Sequence, residues 1–303
     1  GVKIARAEVL KFSRERQSYP VNAEYVAEMA RQEVFEQYGE KAYVSGIRIY
    51  TTIRKTDQDA ALAALRKGVL EYDRRHGYRG PEGLLTLPAG KDEAEDMIEE
   101  ALQEKDIIGS LMPAVVIAAD SKQVIAHTKR GDDITLVGDA LKFVARAMGE
   151  KASPLKLVRG SVIRLAQDEK GQWSVSQLPK VEAALVSVDP SNGAIRALVG
   201  GFDFTANKFN HVTQALRQPG SSFKPFVYSA ALEKGFTPAT VVNDAPVVFD
   251  PGRNGGQKWE PKNYDSKYEG PMRLRQALAK SKNMVSIRIL QAIGPSYAQD
   301  YIT

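Results

Sequence analysis

The chain contains no cysteine and only three histidines. The first absence excludes disulfides and thiolate metal sites and is neutral between oxidising and reducing compartments. His76, His127 and His211 stand far apart and in no ligand spacing, so neither a metal nor any other cofactor is expected. So few histidines also argue against a conventional serine–histidine–acid triad. Long hydrophobic runs are missing: the longest, Leu111 to Ala119, is under half of the roughly 20 residues a membrane-spanning helix needs, and reads as a buried strand with Pro113 near its start. No signal peptide is visible and the chain does not begin with methionine. Blocks of one charge are lacking too. The net charge is +5, Arg74-Arg75-His76 and Lys129-Arg130 are short, and the second is followed almost at once by Asp132-Asp133. Nucleic acid is therefore not an expected partner, although a mildly basic balance suits work beside anionic lipid or polymer.

What is present, at 303 residues and 43% apolar composition, is enough to bury the cores of two or three domains. Its most informative stretch is Arg217-Gln218-Pro219-Gly220-Ser221-Ser222-Phe223-Lys224-Pro225-Phe226, answered downstream by Ser281-Lys282-Asn283. If a helix starts near Ser221, Lys224 lies on the same face, within reach of the Ser221 hydroxyl. Serine is a weak nucleophile unless a base takes its proton, and an amine does so only when desolvation or nearby positive charge lowers its pKa. Phe223 and Phe226 are expected to supply the apolar surroundings. Gly220 lets the chain turn sharply, and free N–H groups of a first helical turn suit a developing oxyanion.

Alone, the pattern is weak, because roughly one S-x-x-K is expected by chance in a chain of this length. Ser153-Pro154-Leu155-Lys156 is such a match and reads as a loop. The bland alternative for Ser221 is a helix N-cap followed by an exposed lysine. The context strengthens it. Phe226, Val227, Ala230, Ala231 and Leu232 form an apolar stripe, and Gly235 and Pro238 form a stop, giving a helix to about Lys234. Pro225 fits only a first turn, so the helix must begin at or just before Ser221. Met272 to Ile293 reads as two helical stretches interrupted near Ser281-Lys282-Asn283, either an ordinary interhelical loop or a polar turn delivering a hydroxyl and an amide to a cleft.

Composition divides the rest. Residues 1–45 read as a helical connector, with Tyr25, Val26, Met29, Ala30, Val34 and Tyr38 at helical spacing. Residues 46–84 hold an alternating strand, Gly46 to Ile53, and an amphipathic helix, Gln58 to Arg75, with Ala61, Leu62, Leu65 and Val69 on one face. Across 85–179 about five short β-like runs, around Ala114, Val124, Ile134, Ser161 and Trp173, alternate with turn residues, suggesting a small barrel or sandwich. Residues 180–303 open with a hairpin, Ala183 to Val188 and Ala194 to Val199, about Asn192-Gly193. The fold class expected is α+β, an antiparallel sheet with helices on both faces plus an inserted all-β domain.

S-x-x-K with a second Ser-x-Asn segment belongs to the signature of serine acyl-transferases that react with penicillin. Arg217 to Phe226, Trp259-Glu260-Pro261-Lys262-Asn263-Tyr264, Tyr268-Glu269-Gly270-Pro271, Leu274-Arg275-Gln276-Ala277-Leu278 and Ser281-Lys282-Asn283 together resemble the transpeptidase half of class A penicillin-binding proteins. Arg48 to Ile53 and Tyr72 to Gly80 sharpen the resemblance toward members from Gram-negative bacteria, over essentially the whole chain. The resemblance implies that the insert is OB-like. It also implies a segment of a larger protein, since the family's K-T-G motif does not follow Ser281 and its glycosyltransferase half has no counterpart here.

The activity so implied is a peptidoglycan D,D-transpeptidase, with Ser221 as nucleophile, Lys224 as base, Ser281 as proton relay and Asn283 holding the substrate backbone. Lys282 would add positive charge near Lys224, and Trp259 and Tyr264 would line the cleft or sit in the core below it. Implied partners are stem peptides and glycan strands, β-lactams, and cell-wall regulator proteins through the insert, at the periplasmic face of the inner membrane with the anchor outside this chain. A carboxypeptidase or β-lactamase-type hydrolase, and a penicillin-sensing or scaffold module without turnover, remain alternatives.

Overall fold

The computed structural model describes residues 19–149, 153–249 and 259–303; the expected connector before residue 19 lies outside them. The chain divides into two units, the first reaching Ala215 and the second spanning Leu216–Thr303.

In the first unit, helix α1 (Glu24–Tyr38) is followed by the short α2 (Lys41–Val44). Of the apolar residues expected to form one face of α1, only Tyr25 is buried. Its ring lies against Gly200 and Gly201, where an added Cβ would come within 2.6 and 2.4 Å of the tyrosine, so the glycines make room for it. Gly46 to Ile53 forms no strand: Ile49 and Tyr50 are exposed, leaving the alternation no core to face. The segment meets the later strand Ile195–Val199 through isolated bonds, Thr52 Oγ1 to the Ile195 carbonyl (2.6 Å) and Arg196 Nη1 to the Thr52 carbonyl (3.4 Å), and just past it the Arg54 N–H donates to the Arg196 carbonyl (3.0 Å). Helix α3 (Lys55–Arg75) buries Gln58, Ala61, Leu65, Val69 and Asp73 on one stripe. It packs its apolar positions against Ala197 and Val199 of the later strand Ile195–Val199.

The stretch between them contains β1 (Gly83–Leu84), α4 (Lys91–Gln103), β2 (Met112–Ala119), β3 (Gln123–Thr128), β4 (Asp133–Val137), α5 (Ala145–Gly149), β5 (Ser161–Gln167) and β6 (Trp173–Ser176). The strands make one antiparallel sheet in the order β1-β5-β2-β3-β4, with β6 also on β5. The apolar run from Leu111 is β2, buried on both faces: Ala114 and Val116 join Val124, Leu136 and Leu165 on one side, while Val115 meets Ile98 and Leu102 of α4 on the other. Burial on both faces removes polar alternation, which is why the run reads as continuous. Helix α4 was not expected; its signal, Ala94, Ile98 and Leu102 four apart, lies among acidic residues. Asp73 at the end of α3 ties both ends of this region, accepting from Arg79 Nη1 (2.9 Å), Gln177 Nε2 (2.8 Å) and the Lys180 N–H (3.2 Å). The chain then forms the hairpin β7 (Leu185–Val188) and β8 (Ile195–Val199), antiparallel, with Gly193 in the left-handed region at φ 72°.

The second unit consists of a 3-10 turn (Gly220–Phe223), α6 (Lys224–Glu233), β9 (Val241–Asp244), β10 (Gly270–Arg273), α7 (Leu274–Ala279), α8 (Asn283–Ile293) and α9 (Pro295–Ile302). Val227, Tyr228, Ala230 and Ala231 of α6 pack with Leu274, Ala277, Val285, Ile289 and Ala298, a core held by three helices around α6. The architecture as a whole is α+β.

Candidate active site

The helix carrying Ser221 starts as a 3-10 turn because of its own sequence. Gly220 turns the chain in at φ 57°, and the Lys224 N–H bonds back to the Ser221 carbonyl, three residues away. Pro225 has no N–H to give that carbonyl an α-helical bond, so the α-helix proper opens at Lys224 with proline in its first turn. In a 3-10 turn residues three apart eclipse, which stacks Ser221 over Lys224. From there Lys224 heads the buried stripe Val227, Tyr228 and Ala231. Ser221 itself is exposed, while Lys224 retains 9% of its accessible surface.

Phe223 and Phe226 do not surround the lysine. They lie on the opposite, exposed face of the helix, their ring centroids 5.8 Å apart. Nearness in sequence put them beside Lys224; the helical period turns them away.

The Lys224 ammonium instead finds its partners 57 and 59 residues on, donating to the Ser281 carbonyl, to Ser281 Oγ (3.0 Å) and to Asn283 Oδ1 (2.7 Å). All three acceptors are neutral. Burial pushes the Lys224 pKa below the ordinary lysine value, with no carboxylate opposing it. Among the described residues the ammonium does not bond to the Ser221 hydroxyl; the expected Ser221–Lys224 contact is replaced by those to Ser281 and Asn283.

The break between α7 and α8 is a Schellman motif. The Ser281 N–H bonds the Leu278 carbonyl and the Lys282 N–H the Ala277 carbonyl, both at 2.9 Å. Glycine usually takes the left-handed position, yet Ser281 holds it at φ 53°. A serine there costs roughly 1 kcal/mol relative to relaxed backbone, and it aims both its carbonyl and its hydroxyl at Lys224. Lys282 cannot cap the next helix. The open N–H groups of Asn283 (2.8 Å) and Met284 (3.3 Å) are accepted by Asn263 Oδ1, reaching in from a separate loop. Asn263 Nδ2 donates to Asp244 Oδ1 (2.7 Å) and to the Lys267 carbonyl (2.8 Å), and Asn283 Nδ2 donates to the Lys262 carbonyl (2.8 Å).

Lys282 departs from expectation. It does not place free positive charge beside Lys224: it is 4% exposed and sits among Glu269 Oε1 (3.0 Å), Asp244 Oδ2 (3.4 Å) and Asp265 Oδ2 (3.6 Å). Burial alone would lower its pKa, but the Glu269 hydrogen bond and the three carboxylate charges outweigh that and raise it. Trp259 and Tyr264 are not core aromatics. Trp259 is half-exposed and stacks on Phe249 with centroids 4.6 Å apart, and Tyr264 is fully exposed; neither shows a contact with Lys224. Asp244, Asn263, Asp265 and Glu269, which organise the turn, were not singled out from sequence. Asn263 and Glu269 stand inside motif runs, but the roles of all four depend on contacts that spacing does not reveal. Ser153-Pro154-Leu155-Lys156 is indeed a turn, closed by the Lys156 N–H on the Ser153 carbonyl (3.1 Å).

Residues 78–181 match the family described as penicillin-binding protein OB-like domain, and residues 183–303 that described as penicillin binding protein transpeptidase domain. Penicillin-binding protein 1A of Neisseria lactamica is 49% identical over 299 residues, covering 97% of this chain and 37% of that protein. Its counterpart in Pseudomonas aeruginosa is 42% identical over 294 residues, covering 95% of this chain and 35% of that protein. The crystal structure of penicillin-binding protein 1A from Haemophilus influenzae has a TM-score of 0.84 at 38% identity, over 99% of this chain and 43% of that one. The chain thus spans little more than a third of the length of these curated relatives.

Proposed function

From the premise that this chain belongs to the class A penicillin-binding protein family and carries its transpeptidase domain, we propose that it serves a serine D,D-transpeptidase that cross-links peptidoglycan. The observation that carries the reading is the buried Lys224 amine. It is held by Ser281 and Asn283 with neutral acceptors only, its pKa lowered, one helical turn after the exposed Ser221.

The donor is a stem peptide ending in D-alanyl-D-alanine. Neutral Lys224 takes the Ser221 proton as Oγ attacks the penultimate carbonyl. The C–N bond then breaks, the leaving amine receives its proton through Ser281, and D-alanine departs from an acyl-enzyme. An amine of a neighbouring stem attacks the ester, forms the cross-linking amide, and returns the proton to Ser221. Asn283 orients the substrate backbone from the same turn. A β-lactam presents a strained version of the same amide and acylates Ser221.

No helix among the described residues is long and apolar enough to cross a membrane. We place the domain at the periplasmic face of the inner membrane, with the anchor outside these residues. We divide the chain into a connector (1–45), a first transpeptidase segment (46–84), the OB-like insert (85–179) and the transpeptidase core (180–303), and read the insert as a docking surface for cell-wall regulators.

The test is labelling of the intact protein with a fluorescent penicillin. Stable label that disappears in Ser221→Ala supports the reading. No label on the folded protein, or label retained in Ser221→Ala, removes it, and rapid release of hydrolysed drug assigns a hydrolase instead.

A further inference from the structure

Ser281, Lys282 and Asn283 are consecutive, yet their side chains serve two places. The outer two meet the Lys224 ammonium. The middle one meets Asp244 at the end of β9, Glu269 beside β10 and Asp265 in the intervening loop, with the Lys267 carbonyl at 3.4 Å completing its surroundings. The turn's two Schellman bonds work against the cost of holding Ser281 in a left-handed conformation, so contacts from outside the turn bear on its shape.

Those surroundings form one connected network. Asp244 is fully buried. Its Oδ2 faces Lys282 and accepts the Glu269 N–H (3.0 Å), while its Oδ1 accepts Asn263 Nδ2 (2.7 Å). Asn263 in turn caps the N-terminus of α8 at Asn283 and Met284. The β9–β10 pairing sets Asp244 opposite Gly270, the neighbour of Glu269, so the two carboxylates are presented by one hairpin.

We propose that Lys282, Asp244 and Asn263 are positioning residues for the acyl transfer: the carboxylates draw Lys282 to the hairpin, Asn263 fixes the start of α8, and the two constraints together aim Ser281 Oγ and Asn283 Oδ1 at Lys224. The inference rests on the transpeptidase reading for the identity of the reaction. It assigns the middle residue of the turn to alignment, and not to substrate.

A misalignment of about 1 Å at a reacting centre can cost on the order of 100-fold in rate. The experiment separates the acylation rate constant from pre-acylation affinity, for a chromogenic cephalosporin on the intact protein, in Lys282→Met, Lys282→Arg and Glu269→Gln. Only folded protein, identified by its unfolding transition, is compared. The expected result is a fall of about 10- to 100-fold in the acylation rate constant for Lys282→Met, little change in affinity, and recovery of most of the rate in Lys282→Arg, which keeps the charge. Glu269→Gln, at a part-exposed position that tolerates the change, should show a smaller fall of the same kind. An acylation rate constant at the wild-type level in Lys282→Met, or in Glu269→Gln should the first variant not fold, overturns the proposal. So does a fall that Lys282→Arg leaves uncorrected. Because the wild type is measured alongside, its failure to be labelled at Ser221 would count against the transpeptidase reading, a separate result from normal acylation in the variants.

Discussion

The surroundings of Lys224 and of Lys282 offer a comparison within one unit. Both ammonium groups are buried, and the same three-residue turn supplies the partners of one and carries the other. Around Lys224 the acceptors are a carbonyl, a hydroxyl and an amide. Around Lys282 they are three carboxylates and, more distantly, one carbonyl. Burial acts on both in the same direction, and the charge of the acceptors decides the outcome. Lys224 is pushed down and Lys282 is raised. The lysine proposed to give up its proton is thus solvated by dipoles, and the one proposed to hold the turn is solvated by charge.

The two also act oppositely on stability. The folded state binds the Lys224 proton less tightly than the unfolded chain does, so this group favours folding progressively more as pH rises from its lowered value toward the ordinary one. Lys282 contributes stability that is fully present below the ordinary lysine value and is lost as pH rises through its raised one.

The difference can be broken most severely at Lys224. Replacing it by methionine preserves the buried stem and removes the base, so penicillin acylation, followed by stopped-flow or gel fluorescence, should slow by about 10²- to 10⁴-fold. Asn263→Ala attacks the other side. It removes the partner of Asp244 Oδ1 and of the first N–H groups of α8, and denaturant unfolding should register a loss of about 1–3 kcal/mol. Smallest in stability is Ser281→Gly. Glycine relieves the left-handed backbone but deletes the hydroxyl that accepts from Lys224, two opposed effects of about 1 kcal/mol each, so unfolding should place the variant within about 1 kcal/mol of the wild type, while its acylation slows because the hydroxyl is gone. That divergence of stability and rate is what a relay serine held under strain predicts.

How much of this was legible in the sequence follows the range of the interactions. The Ser221 helix, its stop at Gly235 and the break at Ser281 are written in residues within a turn or two of each other, and α6, α7 and α8 appear there. The five runs of the insert became β2 to β6 for the same reason. Gly46 to Ile53 misled because alternation states a strand's pattern but not the presence of a sheet to join. Lys282 misled because its three partners lie 13 to 38 residues earlier, on a hairpin whose pairing only the fold reveals. Phe223 and Phe226 looked like the walls of the lysine's pocket until the helical period placed them on the other side. Local chemistry was readable, and the choice between neutral and charged surroundings was not.

The measurement that tests the central claim most directly is the pH dependence of Ser221 acylation by penicillin in the intact protein, with the adduct located by mass spectrometry. On the proposed mechanism acylation requires neutral Lys224, so the rate should climb with pH and level off with an inflection below the ordinary lysine value. An inflection at or above the ordinary lysine value, or a rate that does not change across the range, would contradict the account.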